Sequence, residues 1–256
     1  MNALLKSLIT VIYPSQCRHC DESLTPSDGH YICKSCWQQV EFIEKPYCEV
    51  CGFPLNPGAA LTDKVSSCDR CREREKGIKT WFRKARSIAY YDSAVGEAIR
   101  LLKYSGKTVM AKPLANLMIE AMPAFFGMED YDYIIPMPSH KKSKRKRGYN
   151  QMELIGQRVS RAIGIPIEMR SFIKTRNTRQ LAGLSYEERF EEIRNAFDVP
   201  DPSELAGKKV LLIDDVFTSG ATVAESAKTL ARKGKIKYVD VFTLVRRVGV
   251  KEHDGM

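Results

Sequence analysis

VLLIDDVFTSGATV, residues 210–223, makes two demands that seem to oppose each other. Its apolar start, Val210, Leu211, Leu212 and Ile213, reads as a strand buried on both faces, the kind found inside a parallel sheet. Its end is small and mostly hydroxyl-bearing, with Thr218, Ser219, Gly220, Ala221 and Thr222 leading into a helix that begins near Thr222. Free N–H groups at a helix start, reinforced by the helix dipole, bind a phosphate. Gly220 lets the backbone approach closely, and the hydroxyls of Thr218, Ser219 and Thr222 add donors. No G-K-[ST] follows, so this is not a P-loop. Between strand and cradle stand Asp214 and Asp215, which would repel a phosphate unless they contact something else. Ionised carboxylates only accept hydrogen bonds, and a ribose diol offers two donors. A ribose 5-phosphate meets both demands, with its phosphate in the loop and its 2- and 3-hydroxyls on the acids. A Mg2+ bound to the hydroxyls and a pyrophosphate would further balance the charge.

Outward from this segment, strands and helices alternate. "ARSIAYYD", "YDYIIPMP" and "KYVDVFTLVRR" read as strands. "AVGEAIRLLKYS", "PLANLMIEAM", "NQMELIGQRVSRAIG" and "TVAESAKTLARKG" read as amphipathic helices. This alternation predicts an α/β fold, a mainly parallel sheet with flanking helices. Ligands of such sheets bind beyond the C-terminal strand ends, here after Ile135 and at Asp214 and Asp215.

The first part of the chain follows another rule. All eight cysteines lie between Cys17 and Cys71, as four C-x-x-C pairs: Cys17/Cys20, Cys33/Cys36, Cys48/Cys51 and Cys68/Cys71. Gaps of 12, 11 and 16 residues separate the pairs. Each pair aims two sulfurs at one ion, and two pairs complete a tetrahedral site. Consecutive pairing predicts one Zn2+ on Cys17, Cys20, Cys33 and Cys36 and a second on Cys48, Cys51, Cys68 and Cys71; a cross-braced pairing is the alternative. Disulfides would require an oxidising compartment, and no export signal is visible. Four thiolates leave no open position, so both zincs are expected to be structural. The charged stretch "REREKGIK" reads as a linker, which divides the chain into an N-terminal helix with a double zinc-ribbon module at 1–76 and an α/β domain at 77–256.

The stretch "VLLIDDVFTSGAT" resembles the 5-phosphoribosyl-1-pyrophosphate (PRPP) signature of type I phosphoribosyltransferases; Phe217 departs from it, where that family usually has a smaller aliphatic. The resemblance implies a type I phosphoribosyltransferase-like sheet. It implies PRPP binding by Asp214, Asp215 and residues 218–222, Mg2+ bound with the PRPP, and a catalytic role for the two acids. In such enzymes loops at the same sheet edge hold the pyrophosphate. This makes candidates of the cations in "SHKKSKRKRGYNQ" (Lys141, Lys142, Lys144, Arg145, Lys146 and Arg147), and of Lys103. So many cations exceed what one pyrophosphate needs, and the surplus suits a nucleic-acid backbone. Tyr149 is expected either to pack under this loop or to stack on a base. "KTRNTRQLAGLSYEERFEEIRNAF" supplies Arg176, Thr178 and Gln180 as candidates for a mobile hood. Within it, "SYEERFEEI" reads as a helix opened by a Ser185–Glu188 capping box.

Across essentially its full length the chain resembles the ComF/GntX family. "LLKYSG", "IPMP", "KRGYNQ", "TRNTRQLAGLSYEERFEEIRNAF" and "VLLIDDVFTSGAT" occur in order behind four C-x-x-C pairs. That family is linked to bacterial competence and to use of external DNA. The resemblance implies a cytoplasmic protein acting on or alongside incoming single-stranded DNA, with DNA-uptake or processing proteins as partners. It leaves open two activities: a phosphoribosyltransferase with an unidentified acceptor, or a DNA-binding adaptor whose ribose-phosphate site is regulatory or vestigial. A phosphoribosyltransferase-fold repressor ranks below both, since no recognition helix is visible. The formal charge, 41 Lys+Arg against 31 Asp+Glu, favours polyanionic partners only weakly. No stretch reaches eighteen uninterrupted apolar residues. The N-terminus, with Leu4, Leu5, Leu8, Ile9 and Ile12 on one face, reads as a short amphipathic helix rather than a signal peptide.

Overall fold

The apolar run of residues 210–213 lies in strand β5 (Lys209–Phe217), at the centre of a four-stranded parallel sheet. The sheet order is β1 (Ala85–Tyr90), β6 (Tyr238–Arg246), β5 and β2 (Tyr133–Pro136). This computed structural model describes residues 16–25, 28, 30–56, 67–75, 80–181 and 183–248. The amphipathic stripe of Leu4, Leu5, Leu8, Ile9 and Ile12 lies outside them, as does the 76–79 part of the expected linker. β5 and β6 are buried almost throughout, which explains why neither shows polar–apolar alternation. Beyond β2 a short segment extends the parallel ladder: Ile134 N–H donates to the Pro166 carbonyl at 2.8 Å, and Glu168 N–H to that of Ile134 at 2.9 Å.

The helices follow from the strand order. After the short helices α1 (Lys34–Gln38) and α2 (Asp69–Glu75) of the cysteine-bearing segment, α3 (Ala94–Tyr104) and α4 (Ala111–Ala121) carry the chain from β1 across to β2. α6 (Gln151–Ile163) continues in the same direction, to the 166–168 segment. α8 (Ala221–Arg232) runs the other way, from β5 to β6. Right-handed crossovers therefore place α4 and α6 on one face, where they pack on each other, and α8 on the opposite face. Between the 166–168 segment and β5 lie a two-strand antiparallel ribbon, β3 (Ile173–Lys174) and β4 (Phe197–Asp198), and α7 (Tyr186–Ile193). Ser185 and Glu188 form the expected capping box of α7.

The cysteine-bearing segment covers the outer edge of β1. Phe42 bridges Ala89 in antiparallel fashion, and Ile43 N–H donates to the Ile88 carbonyl at 2.8 Å. Buried Arg86 on β1 holds the Glu49 carboxylate at 2.7 Å and the Glu49 carbonyl at 2.9 Å. An edge strand that would expose unpaired backbone groups is thus capped by the preceding module. One hydrophobic cluster runs without interruption from the cysteines into the sheet.

At the N-terminal end of β6, fully buried Asp240 is saturated by Arg83 at 2.6 Å, the Tyr131 hydroxyl at 2.6 Å and the Lys84 N–H at 3.2 Å. That end of the sheet is locked. The opposite end opens into a cleft.

Candidate functional site

A cleft of about 370 Å³ lies at the C-terminal ends of the strands, lined among others by Asp214, Asp215, Thr218 and Thr222. Adjacent residues on a strand point to opposite faces, so the two acids meet different neighbours. Asp215 faces α3 and α6: one carboxylate oxygen accepts from Lys103 Nζ at 2.7 Å and the other from Gln151 Nε2 at 2.8 Å. Gln151 Oε1 in turn accepts from the Arg147 guanidinium. Asp214 accepts the Asp215 N–H at 2.9 Å.

This asymmetry sets the charges. Burial pushes the Asp214 carboxyl up to about 7, and the neighbouring Asp215 charge adds to the effect. Burial would strip Lys103 of its proton, but Asp215 and Asp214 together outweigh it and hold the ammonium above its ordinary pKa. Lys174, on β3, is pulled down by burial against the attraction of Asp214. The cleft floor therefore carries a carboxylate with one partner on each oxygen, a proton-holding carboxyl and two half-buried amines.

The small-residue loop is tighter than expected. β5 continues through Val216 and Phe217, and α8 starts at Ala221 rather than near Thr222. Gly220 is the N-cap, at φ +80, and has no side chain with which to cap the helix. Ser219 Oγ accepts the Ala221 N–H at 3.4 Å, whereas the next first-turn amides have no intrahelical acceptor by geometry. A Cβ on Gly220 would sit 3.0 Å from the Phe217 ring. Gly220→Ala is accordingly expected to cost about 1–3 kcal/mol, from the left-handed backbone and the ring contact together. Urea unfolding checks this, and a loss below about 0.5 kcal/mol would contradict the tight loop.

The basic run is a helix, not the loop its charge density suggested. α5 (Lys141–Arg147) is capped by His140 Nδ1, which accepts the Lys142 N–H, and by Gly148. Helical spacing sorts its residues: His140, Ser143 and Arg147 line the cleft. Lys141, Lys142, Arg145 and Lys146 point to solvent, and Lys144 pairs with Glu153 at 2.7 Å. Tyr149 packs beneath α5, its hydroxyl donating to the Leu102 carbonyl.

Of the hood candidates, Gln180 lines the cleft, beside Leu181 and Arg189. Arg176 is held away, on Glu192 and on the carbonyls of Glu192 and Arg194. Thr178 accepts from Lys174 Nζ at 2.8 Å. Sequence reasoning missed Gln151, Lys174, Tyr91, Arg247 and Ser139. The Ser139 Oγ is buried in the cleft wall with no partner among the described residues. Only its place just beyond the β2 strand end could have signalled it.

The cysteines form two consecutive tetrads, Cys17/Cys20/Cys33/Cys36 and Cys48/Cys51/Cys68/Cys71, with the sulfurs of each within 4.8 Å of one another. Tetrahedral Zn–S bonds of about 2.3 Å imply S···S separations near 3.8 Å. Cys17–Cys36 at 3.8 Å, Cys20–Cys33 at 3.7 Å and Cys51–Cys68 at 3.6 Å fit that ion. Cys33 N–H donates to Cys17 Sγ and Cys51 N–H to Cys48 Sγ, a backbone support for thiolates.

A double zinc ribbon family model matches residues 8–72. "Competence protein F" of Haemophilus influenzae is 28% identical over 235 residues, 90% of this chain and 96% of that protein. "DNA utilization protein YhgH" of Shigella flexneri is 31% identical over 222 residues, 85% of this chain and 92% of that protein. The chain belongs to the ComF family. ComF membership agrees with both halves of the architecture, zinc-ribbon tetrads followed by a parallel α/β sheet. Among solved structures, the chain is similar to the glutamine PRPP amidotransferase from B. subtilis, with 19% identity and a TM-score of 0.36 over 52% of this chain and 26% of that one. No helix among the described residues is long and apolar enough to cross a membrane.

Proposed function

We propose that the chain binds PRPP as its Mg2+ complex and handles incoming single-stranded DNA in the cytoplasm, as a phosphoribosyltransferase-class protein. The observation that carries this reading is the joint placement of buried Asp214 and Asp215 with a glycine-capped helix start, in the cleft at the C-terminal end of the sheet. The 5-phosphate takes the amides and hydroxyls of residues 218–222. The ribose hydroxyls take the acids. The pyrophosphate lies toward Arg147, Ser139 and His140, where positive charge favours its departure. Mg2+ would supply charge neutralisation for the bound PRPP, with Asp214 and Asp215 the nearby acids. Lys103 holds the Asp215 side chain in place, donating to one carboxylate oxygen. Competence and DNA utilization in the relatives' names support a DNA-directed role.

Calorimetric titration with PRPP and Mg2+ tests the reading, and absence of binding at millimolar PRPP overturns it. Its pH dependence has a definite sign. Asp214 titrates near 7, far above an ordinary carboxylate, so the folded apo chain holds an extra proton between about pH 4 and 7. The stability linked to that proton is present at low pH and is lost as pH rises through 7. A diol or Mg2+ requires the ionised form, so binding below pH 7 expels the proton. PRPP affinity is expected to rise about tenfold from pH 6 to 8. Asp214→Asn should remove that rise apart from what PRPP's own titration contributes.

For DNA, the outward face of α5 offers Lys141, Lys142, Arg145 and Lys146, none of which lines the cleft. Replacing all four with alanine is expected to lower the salt slope of single-strand affinity by about 2–3, at roughly 0.7 per phosphate contact. Fluorescence anisotropy across a salt series measures it, and an unchanged slope would place the DNA elsewhere.

A further inference from the structure

Arg246 ends β6, beside Phe217 in the parallel register, and is 3% exposed. It is a cation in a place that only an anionic neighbour makes tenable. Its guanidinium donates to the Cys51 carbonyl at 2.8 Å and to Cys51 Sγ at 3.7 Å. The same guanidinium lies 4.2 Å from the centroid of the Phe217 ring. That ring is the surface against which a Gly220 Cβ would press, at 3.0 Å, so it forms the floor of the phosphate loop. The backbone ties the same residues together. Tyr91 N–H donates to the Arg246 carbonyl and Arg247 N–H to the Phe217 carbonyl, both at 2.9 Å. Tyr91 and Arg247, which stack on each other at 4.4 Å, both line the cleft. One side chain thus touches a ligand of the second tetrad at one end and the underside of the loop at the other.

We infer that Arg246 is a positioning residue coupling the second cysteine tetrad to the phosphate loop, so that zinc in that tetrad and a ribose phosphate in the cleft strengthen each other's binding. The chemistry is electrostatic. Four thiolates around Zn2+ carry net negative charge, which fixes the buried guanidinium. The fixed guanidinium orders Phe217 through a cation–π contact, and Phe217 sets the loop. Coupling between two sites is reciprocal for binding free energies, so a ligand that orders the loop also protects the zinc. The identity of that ligand rests on the ribose-phosphate reading above; the contact path does not.

Two measurements on the full, zinc-loaded chain test this. The first follows zinc transfer to a chromogenic chelator with and without saturating PRPP and Mg2+. One of the two zinc equivalents is expected to leave at least threefold more slowly with PRPP. Arg246→Met should abolish that protection, and Arg246→Lys, which keeps the charge, should retain part of it. Equal release from a chain that calorimetry shows to bind PRPP overturns the inference; failure of PRPP to bind overturns the functional reading instead. The second needs no ligand. Amides of residues 217–223 are expected to exchange with deuterium several-fold faster in Arg246→Met than in wild type, with partial restoration in Arg246→Lys and no change across α4. Exchange rates in the loop equal to wild type would overturn the inference whichever way the PRPP titration falls.

Discussion

Asp215→Ala is expected to abolish PRPP binding and to cost about 3–5 kcal/mol of stability, the loss that follows when one member of a buried ion pair is removed. Both effects trace to one carboxylate. Its two oxygens are taken up by Lys103 and Gln151, at 2.7 and 2.8 Å, and its side chain is 5% exposed. Without it, Lys103 is left as a half-buried ammonium whose remaining counter-charge is Asp214, the acid that burial keeps protonated up to about pH 7. Lys103 would either lose its proton or draw Asp214 into ionising and swing toward it; each outcome rearranges the cleft floor. Gln151 would lose its acceptor, and with it the tie from Arg147 through α6 to β5. Asp215→Asn separates the two losses. The amide keeps the shape and one acceptor but not the charge, so it should retain more stability than alanine while still losing the ribose diol. Urea unfolding and calorimetric titration of both variants measure this. An Asp215→Ala chain within about 1 kcal/mol of wild type would mean that the pair is solvated, and unchanged PRPP affinity would remove Asp215 from the site.

Sequence patterns exposed whatever is local in this chain. The C-x-x-C spacing predicted four-thiolate sites with consecutive pairing ahead of a cross-braced one, and the structure brings the consecutive tetrads together. The unbroken apolar run of residues 210–213 marked β5 as a strand inside a parallel sheet, and Gly164 closed α6 as expected. What stayed hidden depends on contacts between distant segments. Residues 141–147 looked like a loop because six cations in seven positions repel one another; the His140 and Gly148 caps and the Lys144–Glu153 pair hold them in a helix. Asp214 and Asp215 looked equivalent as neighbours in sequence, yet the strand's two-residue period gives one of them Lys103 and Gln151 and leaves the other short of partners. Arg246 fell inside the predicted strand "KYVDVFTLVRR" with nothing to set it apart. Nothing near it in sequence signals Cys51, 195 positions earlier.

The tetrads are expected to differ in how much of the protein they hold up. Replacing Cys48 and Cys51 together by alanine should release one zinc equivalent and leave no cooperative thermal transition. Apparent zinc affinities of structural sites, about 10–16 kcal/mol, match or exceed the whole stability of an ordinary domain. At the second tetrad, where all four cysteines are buried, this energy is passed into the sheet. Arg246 from β6 ends on Cys51, Arg86 from β1 ends on Glu49, and Ala85 N–H donates to the Val50 carbonyl at 2.8 Å. Collapse of that knuckle strands two buried guanidinium groups and opens the edge of β1 together. The first tetrad has weaker ties to the sheet. Cys20 is exposed, and its neighbourhood reaches the α/β part through Lys107, 4.9 Å from the Tyr31 ring, and through packing of α1 (Lys34–Gln38) on α3. The Cys17/Cys20 double alanine variant should therefore lose one zinc equivalent but keep a cooperative melt, at a lower Tm. Zinc content per chain and near-ultraviolet circular dichroism melts distinguish the two. Equal melting behaviour in both variants would mean that the sheet stands without either ribbon, and that the contacts to Arg86 and Arg246 follow the fold rather than support it.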